Sequence, residues 1–270
     1  ETAGFQRIQT LLTMKRILTI AGSDSGGGAG IQTDIKTISA LGGYASSVLT
    51  AVTAQNTRGV ADVEFLSPDI VEKQLRAVLD DIGTDAVKIG MLGTRKVVER
   101  VAKLLEEYRP PVIVLDPVLV ATSGDVLTGG SATDAIKDSL LPLATVVTPN
   151  IPEAEQLTGL SIASPDDYEA AWERFRGMGA QAVLLKGGHL TGDRLTDTLF
   201  STGDPTAHAY THDRIETRNT HGTGCTLSSA LATFLALGQP LAEAAEQATD
   251  FIHAAIAAAR DRSIGSGHGP

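Results

Sequence analysis

At 270 residues, with 42% hydrophobic and 20% charged side chains, the chain is long enough to bury a large core. It is expected to fold as one domain over residues 14–270. A formal net charge of −10 without any Lys/Arg cluster suits the chain poorly to a nucleic-acid backbone or an anionic membrane, and neither is expected as a partner. The single cysteine, Cys225, rules out an intramolecular disulfide and fits a reducing cytoplasm. No apolar run approaches the roughly 20 residues of a membrane span.

Residues 1–13 lack the apolar core of a signal peptide and read as an extension ahead of Met14. A strand is expected over 16–21, followed by the glycine loop AGSDSGGGAG and a helix over 31–41. Another strand is expected over 44–52. Ser67-Pro68-Asp69 combines an N-cap with proline at the first helical position, so a helix starts there and runs to 81. The apolar runs at 86–89, 112–115, 145–148 and 182–185 do not alternate with polar residues, as in strands covered on both faces. Helices fall between them at 94–108 and from Ser164-Pro165-Asp166 to about 177. Segments 194–200 and 207–218 read as antiparallel edge strands, and alanine-rich helices at 224–237 and 241–259 follow. Strand alternating with helix predicts a doubly wound α/β sheet.

Polar and glycine residues collect at the strand ends: AGSDSGGGAG, KIGML, LDPV, TPN and LKGGH. In open α/β sheets the ligand crevice lies beyond those carboxyl ends. In THGTGCT, Gly222 and Gly224 free the backbone before a helix, whose first amides and dipole would face an anion. Such a cradle suits a transferring phosphoryl group; a plain glycine turn with a threonine cap is the other reading. At this helix start Cys225 is expected to have a lowered pKa and to be partly thiolate, able to take a proton from a hydroxyl. Its alternative is a small buried hydrophobe.

The glycine loop has no Lys or Ser/Thr where G-x-x-x-x-G-K-[ST] needs them, and it misses G-x-G-x-x-G because Ile31 stands where the third glycine would fall after Gly26 and Gly28. It indicates only that backbone approaches a ligand or another loop. Asn150-x-x-Glu153 reads either as a capping-box variant or as Glu153 holding Mg²⁺ through water with Asp116 nearby. Lys186, ending an apolar strand, either meets phosphate or ends in solvent. The amide of Gln55 can match the donor–acceptor edge of a 4-aminopyrimidine, though read alone it is a loop residue. The six histidines show no zinc spacing.

AGSDSGGGAGIQTDIKT, TAVTAQNTRGV, VKIGML, LDPV, TPNIPEAEQL, LKGGH and THGTGCTLSSA occur in that order. On these motifs the chain resembles the hydroxymethylpyrimidine/phosphomethylpyrimidine kinases of the ribokinase-like superfamily, from Met14 through the terminal GSGHGP. The resemblance implies a three-layer α/β/α sandwich with a mostly parallel sheet and a small antiparallel flap. It implies ATP-dependent phosphorylation of 4-amino-5-hydroxymethyl-2-methylpyrimidine and then of its monophosphate, in thiamine biosynthesis. It places Gln55 and Asp34 in the pyrimidine pocket, with Ala21, Gly22, Met91 and Val118 around the ring. Lys186 and Thr220 fall on the ATP side, and Glu153 and Asp116 on the Mg²⁺ side. Gly222, Thr223 and Gly224 form the anion hole, and Cys225 takes the general-base position that many sugar kinases of the superfamily fill with Asp. A cytoplasmic homodimer is implied, and a K⁺ requirement is left open.

The rival enzyme is a pyridoxal kinase of the same superfamily. Its dual-cysteine subgroup carries a second Cys before the His-Gly turn, where this chain has Thr220. A non-catalytic nucleotide sensor is a third reading, opposed by the intact THGTGC turn, Glu153 and Lys186. At this length no fused thiamine-phosphate synthase is expected.

Overall fold

An apolar run that does not alternate must be covered on both sides. The computed structural model, which describes residues 14–119, 130–190, 192–267 and 269, shows how this is done. The first half of the chain runs β1 (Arg16–Asp24), α1 (Gly30–Ala40), β2 (Tyr44–Asn56), β3 (Gly59–Phe65), α2 (Pro68–Asp81), β4 (Ala86–Ile89), α3 (Arg95–Tyr108) and β5 (Ile113–Leu115). The second continues with α4 (Gly130–Ala135), β6 (Val146–Val147), α5 (Ile151–Thr158), α6 (Tyr168–Gly177), β7 (Ala182–Leu185), β8 (Arg194–Ser201), β9 (Asp204–Asp213), α7 (Thr223–Ala236) and α8 (Leu241–Ala259). These strands form one nine-stranded sheet in the order β3-β2-β1-β4-β5-β6-β7-β8-β9. The six from β2 to β7 in this order are parallel, while β3, β8 and β9 add antiparallel edges.

Side chains alternate across the sheet into two cores. Ile17, Ala86, Val114 and Val146 face α1, α7 and α8, where Ile38, Leu227, Leu231 and Ala245 meet them. Leu18, Val87, Leu115 and Val147 face the opposite layer through Leu75, Val101, Leu104 and Phe175. The helix starts follow local chemistry: Ser67 Oγ accepts from the Ile70 amide, and Thr94 Oγ1 from that of Val97.

Most expected elements recur, but the helices α4 and α5 are not among those expected and the strand expected over 207–218 lies at Asp204–Asp213. β2 continues to Asn56 and folds back through β3 as a hairpin, because Thr53 to Asn56 pair with Gly59 to Val63. β3 carries little buried apolar surface, which is why no periodicity announced it. The strand expected over 145–148 shortens to Val146–Val147, with Thr148 turned to the site. The extension over residues 1–13 lies outside the described residues. Among the described residues no helix is long and apolar enough to cross a membrane.

Candidate active site

The carboxyl ends of the parallel strands open into one cleft of about 590 Å³. Ala21, Gly22, Gln55, Met91, Asp116, Val118, Glu153, Lys186, Thr220, Gly222, Thr223, Gly224 and Cys225 all line it. Leu195, Arg214, Ile215, His253 and Ile256 line it as well. No motif marked these five, which come from β8, the segment after β9 and α8.

Backbone contact builds the glycine-rich wall. Gly222 has φ of +80°, and a Cβ there would lie 1.8 Å from the Gly28 carbonyl oxygen. Only glycine allows that approach at that dihedral. The AGSDSGGGAG loop therefore abuts the THGTGC turn, and its own amides are spent locally: Gly26, Gly28 and Ala29 donate to the Asp24 carboxylate. At the α7 start the Thr223 amide turns back to the Thr220 carbonyl at 3.4 Å, and the helix start meets the cleft through Gly224 and Cys225. Gly222→Ala is expected to lower unfolding free energy by about 2 kcal/mol or more through backbone strain. Gly224→Ala, whose Cβ would meet only Lys186 Nζ at 3.3 Å and Asp116 Oδ2 at 3.7 Å, should cost less than about 1 kcal/mol. Urea denaturation of the two variants checks this contrast.

Lys186 does not end in solvent. Its Nζ lies 3.0 Å from Asp116 Oδ1, and Asp116 also accepts from Ser228 at 3.2 Å and Thr148 at 3.3 Å. Burial alone would raise the Asp116 carboxyl, but Lys186 and Lys88 hold it below the usual carboxylate range. Burial likewise opposes the charge on Lys186, and Asp116 and Glu153 outweigh it.

Glu153 forms the capping box: its Oε2 accepts from the Asn150 amide at 2.8 Å while Asn150 Oδ1 accepts from the Glu153 amide at 2.9 Å. It also lines the cleft, so the cap and a ligand role are not exclusive. Burial pushes its carboxyl up to about 7, against the attraction of Lys186 and with the repulsion of Asp116. Folded protein thus keeps a proton that the unfolded chain loses near its ordinary pKa of 4.5. This contribution to stability is present below that value and is lost as pH rises toward 7. Glu153→Ala should flatten that part of the pH–stability curve, measured by urea denaturation between those limits.

Two expectations need correction. Cys225 is not a partial thiolate in the free protein. Burial pushes its thiol up to about 11, Lys88 opposes this, and Asp34 and Asp116 reinforce it. Desolvation and nearby carboxylates outweigh the helix start. Asp34 does not reach the pyrimidine pocket. It is fully buried beneath the floor, where Lys88 Nζ at 2.9 Å, Ser229 Oγ at 2.7 Å and Thr19 Oγ1 at 2.5 Å take up its carboxylate.

Lys88 and His221 escaped the sequence reading, although both stand inside quoted motifs. Lys88 is itself fully buried, and burial is opposed by Asp34 so strongly that its ammonium stays charged. His221 Nε2 lies 3.0 Å from Asp24 Oδ2 and 3.3 Å from one end of the Gln55 carboxamide, joining the THGTGC turn to the opposite wall.

A mostly parallel sheet covered on both faces, with its strand ends converging on a glycine-rich helix start, is the architecture shared with solved ribokinase-like kinases. A family model described as phosphomethylpyrimidine kinase matches residues 24–270, and the chain belongs to that family. It is 54% identical to the hydroxymethylpyrimidine/phosphomethylpyrimidine kinase of Rhizobium meliloti, with 94% of each chain covered. It is 50% identical to the thiamine biosynthesis bifunctional protein ThiED of Geobacter sulfurreducens, over 94% of this chain and 51% of that one. The chain therefore spans about half the length of that relative. Among solved structures, the pyridoxal kinase of Staphylococcus aureus in complex with pyridoxal matches with a TM-score of 0.87 and 37% identity, covering 96% of this chain and 93% of that one.

Proposed function

We infer that the chain transfers the γ-phosphoryl group of ATP to the hydroxyl of 4-amino-5-hydroxymethyl-2-methylpyrimidine, and then a second one to the resulting monophosphate. The observation that carries this reading is a single cleft holding the α7 start and Lys186 together with Gln55. The first pair suits a migrating phosphoryl group and the last an aminopyrimidine edge.

In this reading the amides from Gly222 to Gly224 hold the equatorial oxygens, whose charge grows in the transition state. Lys186, now resting on Asp116, supplies positive charge to the phosphates. Glu153 and Asp116, both carboxylates on the cleft wall, fit Mg²⁺ and would hold it; the ion neutralises nucleotide charge when bound. Among the described residues no cluster of three or more His, Cys, Asp or Glu is placed to hold a metal ion. Ala21, Gly22, Met91 and Val118 frame the acceptor ring. A Cβ at Gly22 would come 2.5 Å from Met91 Cε, so glycine there lets Met91 lie across the pocket. Ile215 and Ile256 add apolar lining to the cleft that suits the adenine. Asp34 acts from below, tying Lys88 to α7 through Ser229. Cys225 receives the acceptor proton in the first transfer. Assembly as a cytoplasmic homodimer belongs to the same reading.

The pyridoxal kinase reading draws on the structural likeness given above, but Thr220 stands where the dual-cysteine subgroup has its second thiol. A coupled assay of ATP consumption with hydroxymethylpyrimidine, its monophosphate and pyridoxal separates the readings. Consumption dependent on the two pyrimidines is expected. Turnover of pyridoxal alone would replace this function, and binding of ATP without acceptor-dependent turnover would indicate a sensor. Exchanging K⁺ for Na⁺ in the same assay tests the monovalent cation.

A further inference from the structure

His221 belongs to the transfer turn by sequence, yet its ring reaches across to the acceptor wall. Asp24 is 4% exposed and already accepts three backbone amides, from Gly26 at 2.7 Å on Oδ1 and from Gly28 at 3.1 Å and Ala29 at 2.9 Å on Oδ2. Burial would raise its carboxyl, but the hydrogen bonds from His221, Gly26 and Ala29 hold it below its ordinary value. It is an acceptor only. His221 Nε2, 3.0 Å from Oδ2, must therefore carry the proton between them.

The same Nε2 lies 3.3 Å from one end of the Gln55 carboxamide. An N–H donating to Asp24 cannot also accept, so the amide end beside it has to be the oxygen. The other end agrees. Thr53 Oγ1 lies 3.1 Å from the Ser23 carbonyl, which can only accept, and 3.1 Å from the far end of the Gln55 amide. With its one proton given to the Ser23 carbonyl it is free to accept from Gln55, so that end accommodates the NH₂ that the His221 contact requires. The two ends of a carboxamide have nearly the same shape, and their partners decide which is which. Ser25 Oγ fixes the Gln55 backbone at both its amide and its carbonyl, at 2.8 and 2.7 Å, leaving only this half-turn of the side chain to be chosen.

We propose that His221 is a positioning residue that sets the orientation of the Gln55 carboxamide, and thereby selects a 4-amino over a 4-oxo pyrimidine acceptor. With its flanking lone pair on His221 and its flanking N–H on Thr53, the amide shows the cleft one acceptor and one donor in fixed order. A 4-aminopyrimidine answers with an amino donor and a ring-nitrogen acceptor. The 4-oxo analogue has a carbonyl and an N3–H, which is the same edge reversed. The inference rests on the reading of Gln55 given under Proposed function.

The test compares kcat/KM for 4-amino-5-hydroxymethyl-2-methylpyrimidine and its 4-oxo analogue, together with calorimetric binding of both in the absence of nucleotide. His221→Leu is expected to cut the preference for the amino compound by about 10- to 100-fold, the discrimination of one bidentate edge, chiefly through its KM. His221→Gln, whose terminal N–H reaches the same place, should retain the preference. In a Gln55→Ala background His221→Leu should change it no further. If His221→Leu fails to fold, His221→Asn, with its shorter reach, carries the same expected loss. Equal losses on both acceptors, or a continued loss of preference without Gln55, would overturn the proposal and leave His221 as a part of the turn. Wild-type protein that neither binds nor phosphorylates the amino compound would instead overturn the functional reading beneath it.

Discussion

Replacing Cys225 by Ala should slow phosphoryl transfer to the hydroxymethyl acceptor by about 100- to 10,000-fold, the usual contribution of a general base. Transfer to the phosphate acceptor should stay within a few fold. An alcohol must give up its proton, whereas a phosphate monoester with a second pKa of about 6 already presents an anionic oxygen at neutral pH. The raised thiol sharpens the expectation. With its pKa pushed up to about 11, only a small fraction is thiolate at neutral pH. The rate of the first transfer should therefore climb about tenfold per pH unit across the neutral and mildly alkaline range, where thiolate is the minor form. The second transfer lacks that slope. Single-turnover measurements with each acceptor across this range supply both numbers, and a flat profile for the alcohol would assign the thiol a purely positional part.

The other large effect lies at Lys186. Lys186→Met removes the cation that the proposed function sets against the phosphates and leaves the Asp116 carboxylate, whose side chain is 2% exposed, with Ser228 and Thr148 as hydrogen-bond partners. Losing one member of a buried pair costs about 3–5 kcal/mol. The lower end applies here because Lys186 keeps 13% of its side chain exposed and Asp116 keeps two hydroxyl donors. Turnover should vanish with either acceptor. Adding Asp116→Asn removes the stranded charge and should restore most of the stability with none of the activity. Urea denaturation and turnover measured on the single and double variants check both halves. A single variant as stable as wild type would show that the pair contributes nothing to the fold.

The sheet was legible because its signals are local. Doubly covered strands read as short β-branched runs, and Ser67, Thr94 and Ser164 each accept from an amide two or three residues ahead. The strand-end motifs were legible for the same reason, since every loop that lines the cleft follows its own strand. What stayed hidden depends on partners distant in the chain. Asp34 was placed in the pocket by the family resemblance, and nothing near it in sequence reveals Lys88, 54 positions away, as its counter-ion. Cys225 looked acidic because a helix start is visible in sequence, whereas the carboxylates and burial that outweigh it are contributed by other elements. His221 was passed over beside the glycines of its own turn, although the ring bridges to the far wall. β3 gave no sign because a half-exposed edge strand has little apolar surface to repeat.

The bond between His221 and Asp24 joins positions 197 residues apart. Closing so long a chain segment carries an entropic cost that local helices and neighbouring strand pairs escape. Parallel pairing of the early strands can precede it, but the acceptor wall and the phosphoryl seat come together only when the last quarter of the polypeptide docks. Contacts of such high order form late and slowly. On dilution from denaturant, helical signal should therefore return ahead of catalytic competence, and a chain still being synthesised would already hold much of its sheet while its working pocket had yet to exist.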